Sequence, residues 1–461
     1  MDRRTGDVAV WDKAGGEVEM DLDELNRLAI RKAEALKVDD AIALSARGTD
    51  SMIRFADNSA TVVNRVEEAE LTVYLAKEKR RAIASTSNLS AAAVKKFVED
   101  LFKSMKGLPQ AECAPLPEKV TKYSQSGGFD RKLEDVEEKL PELAKVAIDS
   151  SLAAGGKRSA GVISAGKATV AILTSSGTTG SDSRTAITLN IRSFGEGEAS
   201  GHGLSCASTL RMFDPAEAGK RAGEDANRMR LASEPDAGKY EVLLSPTVAS
   251  NLVETVARAA SAFSVDAGTS YLTGKLGKEV ASTSFTLTDH GVTDGGLGGR
   301  AFDDEGSPTR TTRIIDQGVL GGYLHNLTTA LKWKSETTGN AGLIAPHPWN
   351  LEVGEGDSSY EEMVKEMNNG IILTSNWYTR FKNYRTGEFS TVPRDGAFLV
   401  EGGEVTKPLK GMRAGDDLQR LLTSARLLSK KREWVQWWEV DTPTLCPWVL
   451  VDGVSITRAY G

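Results

Sequence analysis

Residues 244–263 read LSPTVASNLVETVARAASAF. The run KYEVLL just before them is a strand, and the chain then turns into a helix. Ser245 is a good N-cap and Pro246 suits the first helical position. Val248, Leu252, Val256, Ala259 or Ala260, and Phe263 fall on one apolar stripe. At roughly 100° per residue, Glu254 and Arg258 lie opposite that stripe. They form an i, i+4 pair with the acid N-terminal, the favourable orientation. Spacing alone therefore predicts one long amphipathic helix with an exposed ion pair worth about 0.3–0.5 kcal/mol.

Toward the N-terminus the texture is different. A leader over 1–20 precedes a helix in DLDELNRLAIRKAEALKVDD, where Asp21 caps and Leu22, Leu25, Leu28, Ala29 and Leu36 recur at helical spacing. Three strand-like runs follow, AIALSAR, SMIRFADNSATVV and AELTVYLAKEKRRAIAS. A second helix, NLSAAAVKKFVEDLFKSM, has Asn88 or Ser90 as its cap. A proline-rich linker covers 106–129. The pattern then recurs: helix LPELAKVAIDSSLAAG with Pro141 early, strands KRSAGVIS, KATVAILTSSG and SRTAITLNIRS, and helix DPAEAGKRAGEDANRMR with Asp214 as cap and Pro215 first.

These runs predict an α+β protein. Two α-βββ-α units, over 21–105 and 130–235, precede a β-rich domain over 236–461 with a few helices. The later domain has strand runs STSFTLTDHG, TRTTRIIDQGVLGGYLHNL and GAFLVEGGEVTKPL, and helical patterns in SYEEMVKEMNNG and DDLQRLLTSARLLSK. Trp434, Trp437 and Trp438 crowd into REWVQWWEV. They read either as core and subunit-contact aromatics or as an exposed interaction patch.

The 461 residues are 40% hydrophobic and 26% charged, with a net charge of −7. That balance argues against a general binder of nucleic acid or anionic membranes. Cys113, Cys206 and Cys446 form no CxxC pair, which favours a reducing compartment. The first residues hold no apolar signal core, and no apolar run reaches a membrane-spanning length. A cytoplasmic protein is expected.

Metal and nucleophile patterns are sparse. A zinc peptidase places His-Glu-x-x-x-His on a helix. Here VETVAR, residues 253–258, keeps the Glu and has neither His. His202 and Cys206 lie four apart in GHGLSC, in a glycine-rich, non-helical context without a second ligand pair. His290 and His325 read as turn and strand-end residues. SSGTTGSDS is a polar hairpin turn and lacks a phosphate-loop signature. Asp303, Asp304 and Glu305 lack EF-hand spacing and read as a tight, solvated turn.

Several segments, in order, carry a family resemblance: RAFDDEGSPTR, IIDQGVLGGYLHN, TTGNAG, FLVEGGEVTKPLKG and the closing TPTLCPWVLVDGVSIT. With the earlier ASTSNLSAAAVKKFVEDL they resemble the TldD/PmbA family from about residue 20 to the end. The resemblance implies a cytoplasmic protein with an α+β front part and a β-rich back part. One branch, TldD, is a zinc metallopeptidase with His-Glu-x-x-x-His in the helix after the YEVLL-type strand and a cysteine ligand near the C-terminus. The other, PmbA or TldE, lacks these ligands and pairs with TldD to cleave peptides and unfolded segments.

Carried over residue by residue, the first His position is Val253, the Glu is Glu254 and the second His position is Arg258. The cysteine is expected within KKREWVQWWEVD, which has none, and Cys446 comes later. Valine cannot ligate zinc, and a guanidinium does not deprotonate to do so. The resemblance thus implies a PmbA-like chain without catalytic residues, metal or cofactor of its own. Glu254 then reads as a remnant or a salt-bridge partner and not as a base, and Arg258 is expected to supply the positive charge that a metal would have supplied. Zinc is expected in a TldD-like partner, with a peptide or unfolded protein as substrate. The alternatives are a homodimer that binds peptides without hydrolysis, and a peptidase with ligands drawn from His290, His325, His347 and nearby acids. The family's description as modulators of DNA gyrase fits an indirect effect through proteolysis better than direct DNA contact.

Overall fold

The computed structural model describes residues 20–124 and 126–458. All of the predicted leader but its last residue lies outside them. The first unit is α1 (Leu22–Ala35), β1 (Asp40–Ala56), β2 (Ser59–Lys77), β3 (Arg80–Thr86) and α2 (Ala91–Met105). The second is α3 (Leu140–Ala153), β4 (Arg158–Thr174), β5 (Thr179–Phe194), β6 (Ser200–Ala207) and α4 (Pro215–Arg228). Asp21, Ser90 and Asp214 accept hydrogen bonds from the first turns of α1, α2 and α4.

The two units share one antiparallel sheet in the order β3-β2-β1-β4-β5-β6. β1 and β4 pair from Ile42 opposite Thr174 to Phe55 opposite Gly161. α1 and α2 bury Leu25, Ala29, Val94 and Val98 against Leu71, Val73 and Leu75. α3 and α4 bury Ala144, Ala147, Ala218 and Ala222 against Ile163, Leu189 and Ile191.

The strand bounds differ from those predicted. The hairpin turns fall at Asp57-Asn58 and Glu78-Lys79, inside two of the predicted runs, and all four residues have positive φ. Two-residue turns of that hand match the twist of the strands they join. KRSAGVIS and KATVAILTSSG form one strand, because Gly166 continues β4 through a close approach to Thr49 O on β1. GHGLSC, which lay outside the predicted strand runs, is the sixth strand. A Cβ on its Gly203 would stand 1.9 Å from Ala218 O, so the glycine lets α4 lie directly on β6.

β7 (Gly238–Leu244) lies inside a second, 13-stranded sheet. It pairs in parallel with Asn369–Leu373 and antiparallel with the long last strand Val440–Arg458. α5 (Pro246–Ala259) follows, with Ser245 Oγ accepting from Val248 N. Val248, Leu252, Val253 and Val256 of α5 share a core with Val242, Leu244, Val449 and Val451.

The predicted long helix is corrected at its end. Leu324 N donates to Ala260 O (2.8 Å) and Leu324 O accepts from Ala262 N (3.0 Å), so pairing with this segment interrupts the helix. Phe263 falls in a separate short helix, Ala262–Asp266, and is exposed. The helical pattern DDLQRLLTSARLLSK is likewise only partly helical, at Leu418–Thr423. Its remainder enters strand Ala425–Trp437, which pairs with Val440–Arg458. Sheet pairing overrides propensity there.

Polar contacts tie the two parts together. Arg221 of α4 forms a two-pronged bond with Glu433, at 2.5 and 2.9 Å. The Asp182 carboxylate of β5 accepts from Gly127 N and Ala301 N, each at 2.7 Å.

Candidate functional site: the buried polar face of helix α5

Asn251, Glu254 and Arg258 follow one another along α5 at steps of three and four, so they share a face. That face is covered by the turn at Trp438-Glu439, by the first residues of strand Val440–Arg458 and by strand Asn376–Asn383. The exposed ion pair predicted from spacing is therefore half wrong. Glu254 is 6% exposed. Its Oε1 accepts from the backbone N of Thr442 (2.7 Å) and from Arg258 (2.9 Å). Arg258 is about half exposed and also donates to Asp441 Oδ2 at 2.9 Å. Burial works against its charge, but Glu254 and Asp441 outweigh burial and hold it protonated. That charge is spent on two carboxylates and does not stand free in place of a metal.

Asn251 extends the network. Its Oδ1 accepts from Thr379 Oγ1 (2.5 Å) and Asn376 Nδ2 (3.1 Å), and its Nδ2 donates to Glu439 O (2.5 Å). Val253 is 2% exposed and belongs to the apolar core. A zinc ion does not fit this set. The first ligand position is a packed isopropyl group and the second is an ion-paired guanidinium, while Glu254 already accepts two hydrogen bonds. The only cysteine of the last strand, Cys446, is fully buried, and burial pushes its thiol up to about 12.

The other candidate residues are dispersed. His202 is buried on β6 between Ser375 Oγ and Asn190 Oδ1, each at 3.1 Å, with its ring against Trp437. Burial pushes it down to about 4, so it is neutral at pH 7. Cys206 faces Trp434 O, and burial pushes its thiol up to about 12. His290 stands 3.2 Å from Glu352, His325 pairs with Thr329, and His347 pairs with Pro348 O. Among the described residues, no three His, Cys, Asp or Glu side chains form a group that could hold a metal ion.

The turn at Asp303, Asp304 and Glu305 is tight but not solvated. Asp303 is fully buried, and its carboxylate accepts from Glu305 N, Ser307 N and Ala341 N. Arg300 pairs with Asp304. The acids are thus structural acceptors, enclosed because the loop packs on the N-terminal sheet through Phe302 and Ile172. The tryptophans split by role. Trp437 is buried, and Trp438 is 59% exposed beside Trp377, at 4.8 Å between ring centres.

Arg258 lies at the junction of two clefts. One, of about 590 Å³, is also lined by Arg184, His347 and Asp441. The other, of about 400 Å³, is lined by Thr255, Phe381 and Tyr384. The sequence reading did not single out Asn251, Thr442, Asp441 or Arg184. Asn251 carried a weak signal, an amide one turn before Glu254 on the polar side of an amphipathic helix. The others are joined to α5 only by the fold.

Two family models match the chain. Residues 128–230 match the PmbA/TldA metallopeptidase central domain, and residues 237–458 match its C-terminal domain. A metalloprotease of Methanothermobacter thermautotrophicus is 32% identical over 245 residues, covering 50% of this chain and 52% of that protein. Metalloprotease PmbA of Escherichia coli O157:H7 is 31% identical over 182 residues, 39% of each. The matched regions thus span about half the length of these relatives or less. Among solved structures, TldE of Thermococcus kodakarensis superposes with a TM-score of 0.81 at 21% identity, covering 95% of this chain and 99% of that one. A Thermotoga maritima protein proposed as a modulator of a DNA gyrase gives 0.81 at 23%, covering 95% and 100%. Identities this low speak to the fold alone. With both domain models matched in order along the chain, this protein belongs to the TldD/PmbA family.

Proposed function

We propose that this chain is the non-catalytic, PmbA-type subunit of a heterodimeric metallopeptidase, with a TldD-like partner that carries zinc and cleaves peptides or unfolded segments. The observation that carries the reading is the state of α5. Where the catalytic branch has two histidines, this chain has a core valine and an arginine clamped between Glu254 and Asp441. Glu254 is bound to a backbone N–H and a guanidinium, which suits an anchor and not a base awaiting a metal-bound water. The clefts on either side of Arg258 then serve as walls of a chamber completed by the partner. No helix among the described residues is long and apolar enough to cross a membrane, and a cytoplasmic setting remains part of this proposal.

The test is co-expression with a TldD-like protein, followed by a peptidase assay on an unfolded protein. A 1:1 complex with zinc-dependent activity, and none from the chain alone, is expected. Glu254→Gln in this subunit should leave that activity intact. Activity from the chain alone, abolished by Glu254→Gln, would overturn the proposal. Stable self-association with no capture of a TldD-like chain would favour a homodimeric peptide-binding protein instead.

A further inference from the structure

A third cleft, of about 580 Å³, lies on the face of the N-terminal sheet that the four helices leave open. Its floor carries two poles of opposite charge. At one side is Arg184 of β5, which also lines the cleft beside Arg258. Arg184 donates one hydrogen bond, to Gly298 O at 3.0 Å, and forms no ion pair among the described residues. Burial, and then the nearby Arg300, push its guanidinium below the usual value, with Asp182 opposing them. Arg300 itself is committed to Phe302 O and Asp304.

At the other side stand Glu68 of β2 and Asp50 of β1. Neither forms an ion pair among the described residues. Burial, and then Glu68, push Asp50 above the usual carboxylate range. Each pole thus has a like charge beside it, although Arg184 also feels the Asp182 carboxylate.

The register fixes how the poles relate. Arg184 is opposite Ala168, Ala168 is opposite Gly48, and Gly48 is opposite Glu68. Directly paired residues share a face, so Arg184 and Glu68 stand on the same floor three strand spacings apart, roughly 14 Å at about 4.8 Å each. An extended peptide rises about 3.3 Å per residue, so roughly four residues span that gap.

We propose that this cleft binds a short peptide of about four residues by both free ends, the terminal carboxylate on Arg184 and the terminal ammonium against Asp50 and Glu68. A guanidinium offers a carboxylate two parallel N–H donors, and each pole gains a direct ion pair that it does not form among the described residues. Arg184 lines both this cleft and the one beside Arg258. The inference rests on the reading that this chain handles peptides. It adds a ligand class, a product-length peptide, and a place.

The test uses the full-length chain and fluorescently side-chain-labelled tetrapeptides with free ends, an acetylated N-terminus or an amidated C-terminus, read by anisotropy. The free peptide should bind about tenfold or more tightly than either blocked form. Arg184→Gln should weaken the free peptide to the level of the amidated one and leave the amidated one unchanged. Glu68→Gln should do the same with respect to acetylation. Arg184→Lys should fall between, and thermal melts identify any variant that fails to fold. Equal binding of all three peptides, equal losses for free and amidated peptide in Arg184→Gln, or no binding by wild type would each overturn the proposal. Complex formation with a TldD-like chain is scored separately. If the complex forms while end-discrimination is absent, only this site fails. If discrimination is present without a complex, only the subunit reading fails.

Discussion

Glu254→Ala separates a structural anchor from an idle remnant. The substitution strips a buried backbone donor, Thr442 N, of its 2.7 Å acceptor. An unsatisfied buried donor costs about 1–3 kcal/mol. It also removes one of two partners of Arg258, which is about half exposed and keeps Asp441, so that loss is discounted to about 0–1 kcal/mol. The sum centres near 2 kcal/mol. Glu254→Gln keeps an amide oxygen for Thr442 N and should cost about 1 kcal/mol or less. For a unit of 150–250 residues, each kcal/mol moves the midpoint by roughly 2–4 °C. Thermal unfolding followed by tryptophan fluorescence should thus show a fall of about 4–8 °C for Ala and about half that or less for Gln. Midpoints unchanged in the Ala variant, or equal falls in both variants, would refute the reasoning that Glu254 anchors the start of strand Val440–Arg458.

Other perturbations have equally definite outcomes. His202 is held neutral by burial, with its folded value near 4 against 6.5 in solvent. Its contribution to stability is therefore complete above pH 6.5 and is lost as pH falls through about 4. His202→Gln should flatten that acid limb, on the order of 3 kcal/mol across it, when urea midpoints are measured from pH 4 to 7. Ser245→Ala removes the cap of α5, a bond from Val248 N at 3.3 Å, and should cost about 1 kcal/mol in the same assay. Arg221→Ala leaves Glu433 without its two-pronged partner and should raise the rate of limited proteolysis in the 230–237 connection, with Lys431 too exposed to compensate. Unchanged cleavage would show that the apolar contacts alone hold the two parts together.

The periodic signals in the sequence were enough for element types. Asp21, Ser90, Asp214 and Ser245 stand before amphipathic runs, and each caps a helix. The alternation of the strands and the glycine turns gave an α+β protein with a β-rich back part. Strand bounds were less legible. A turn such as Glu78-Lys79 uses residues without a turn signature, held in positive φ by the flanking pairing of β2 with β3 and by bonds to Asp39 and Ala111. The helix in DDLQRLLTSARLLSK was cut short by a partner strand about twenty residues later in the chain.

At α5 the division is sharpest. The identities of Val253, Glu254 and Arg258 are enough to remove the ligands that zinc would need, because ligation depends on the donor atoms a side chain carries. Whether Glu254 faces water or protein does not follow from helical spacing. A helix face has no environment until another element is placed against it. The start of strand Val440–Arg458, nearly two hundred residues away, closes over Glu254 and turns a surface ion pair into a buried junction. The same holds for Arg184 and Glu68. Only the sheet register sets these opposite charges on one floor at the span of a short peptide.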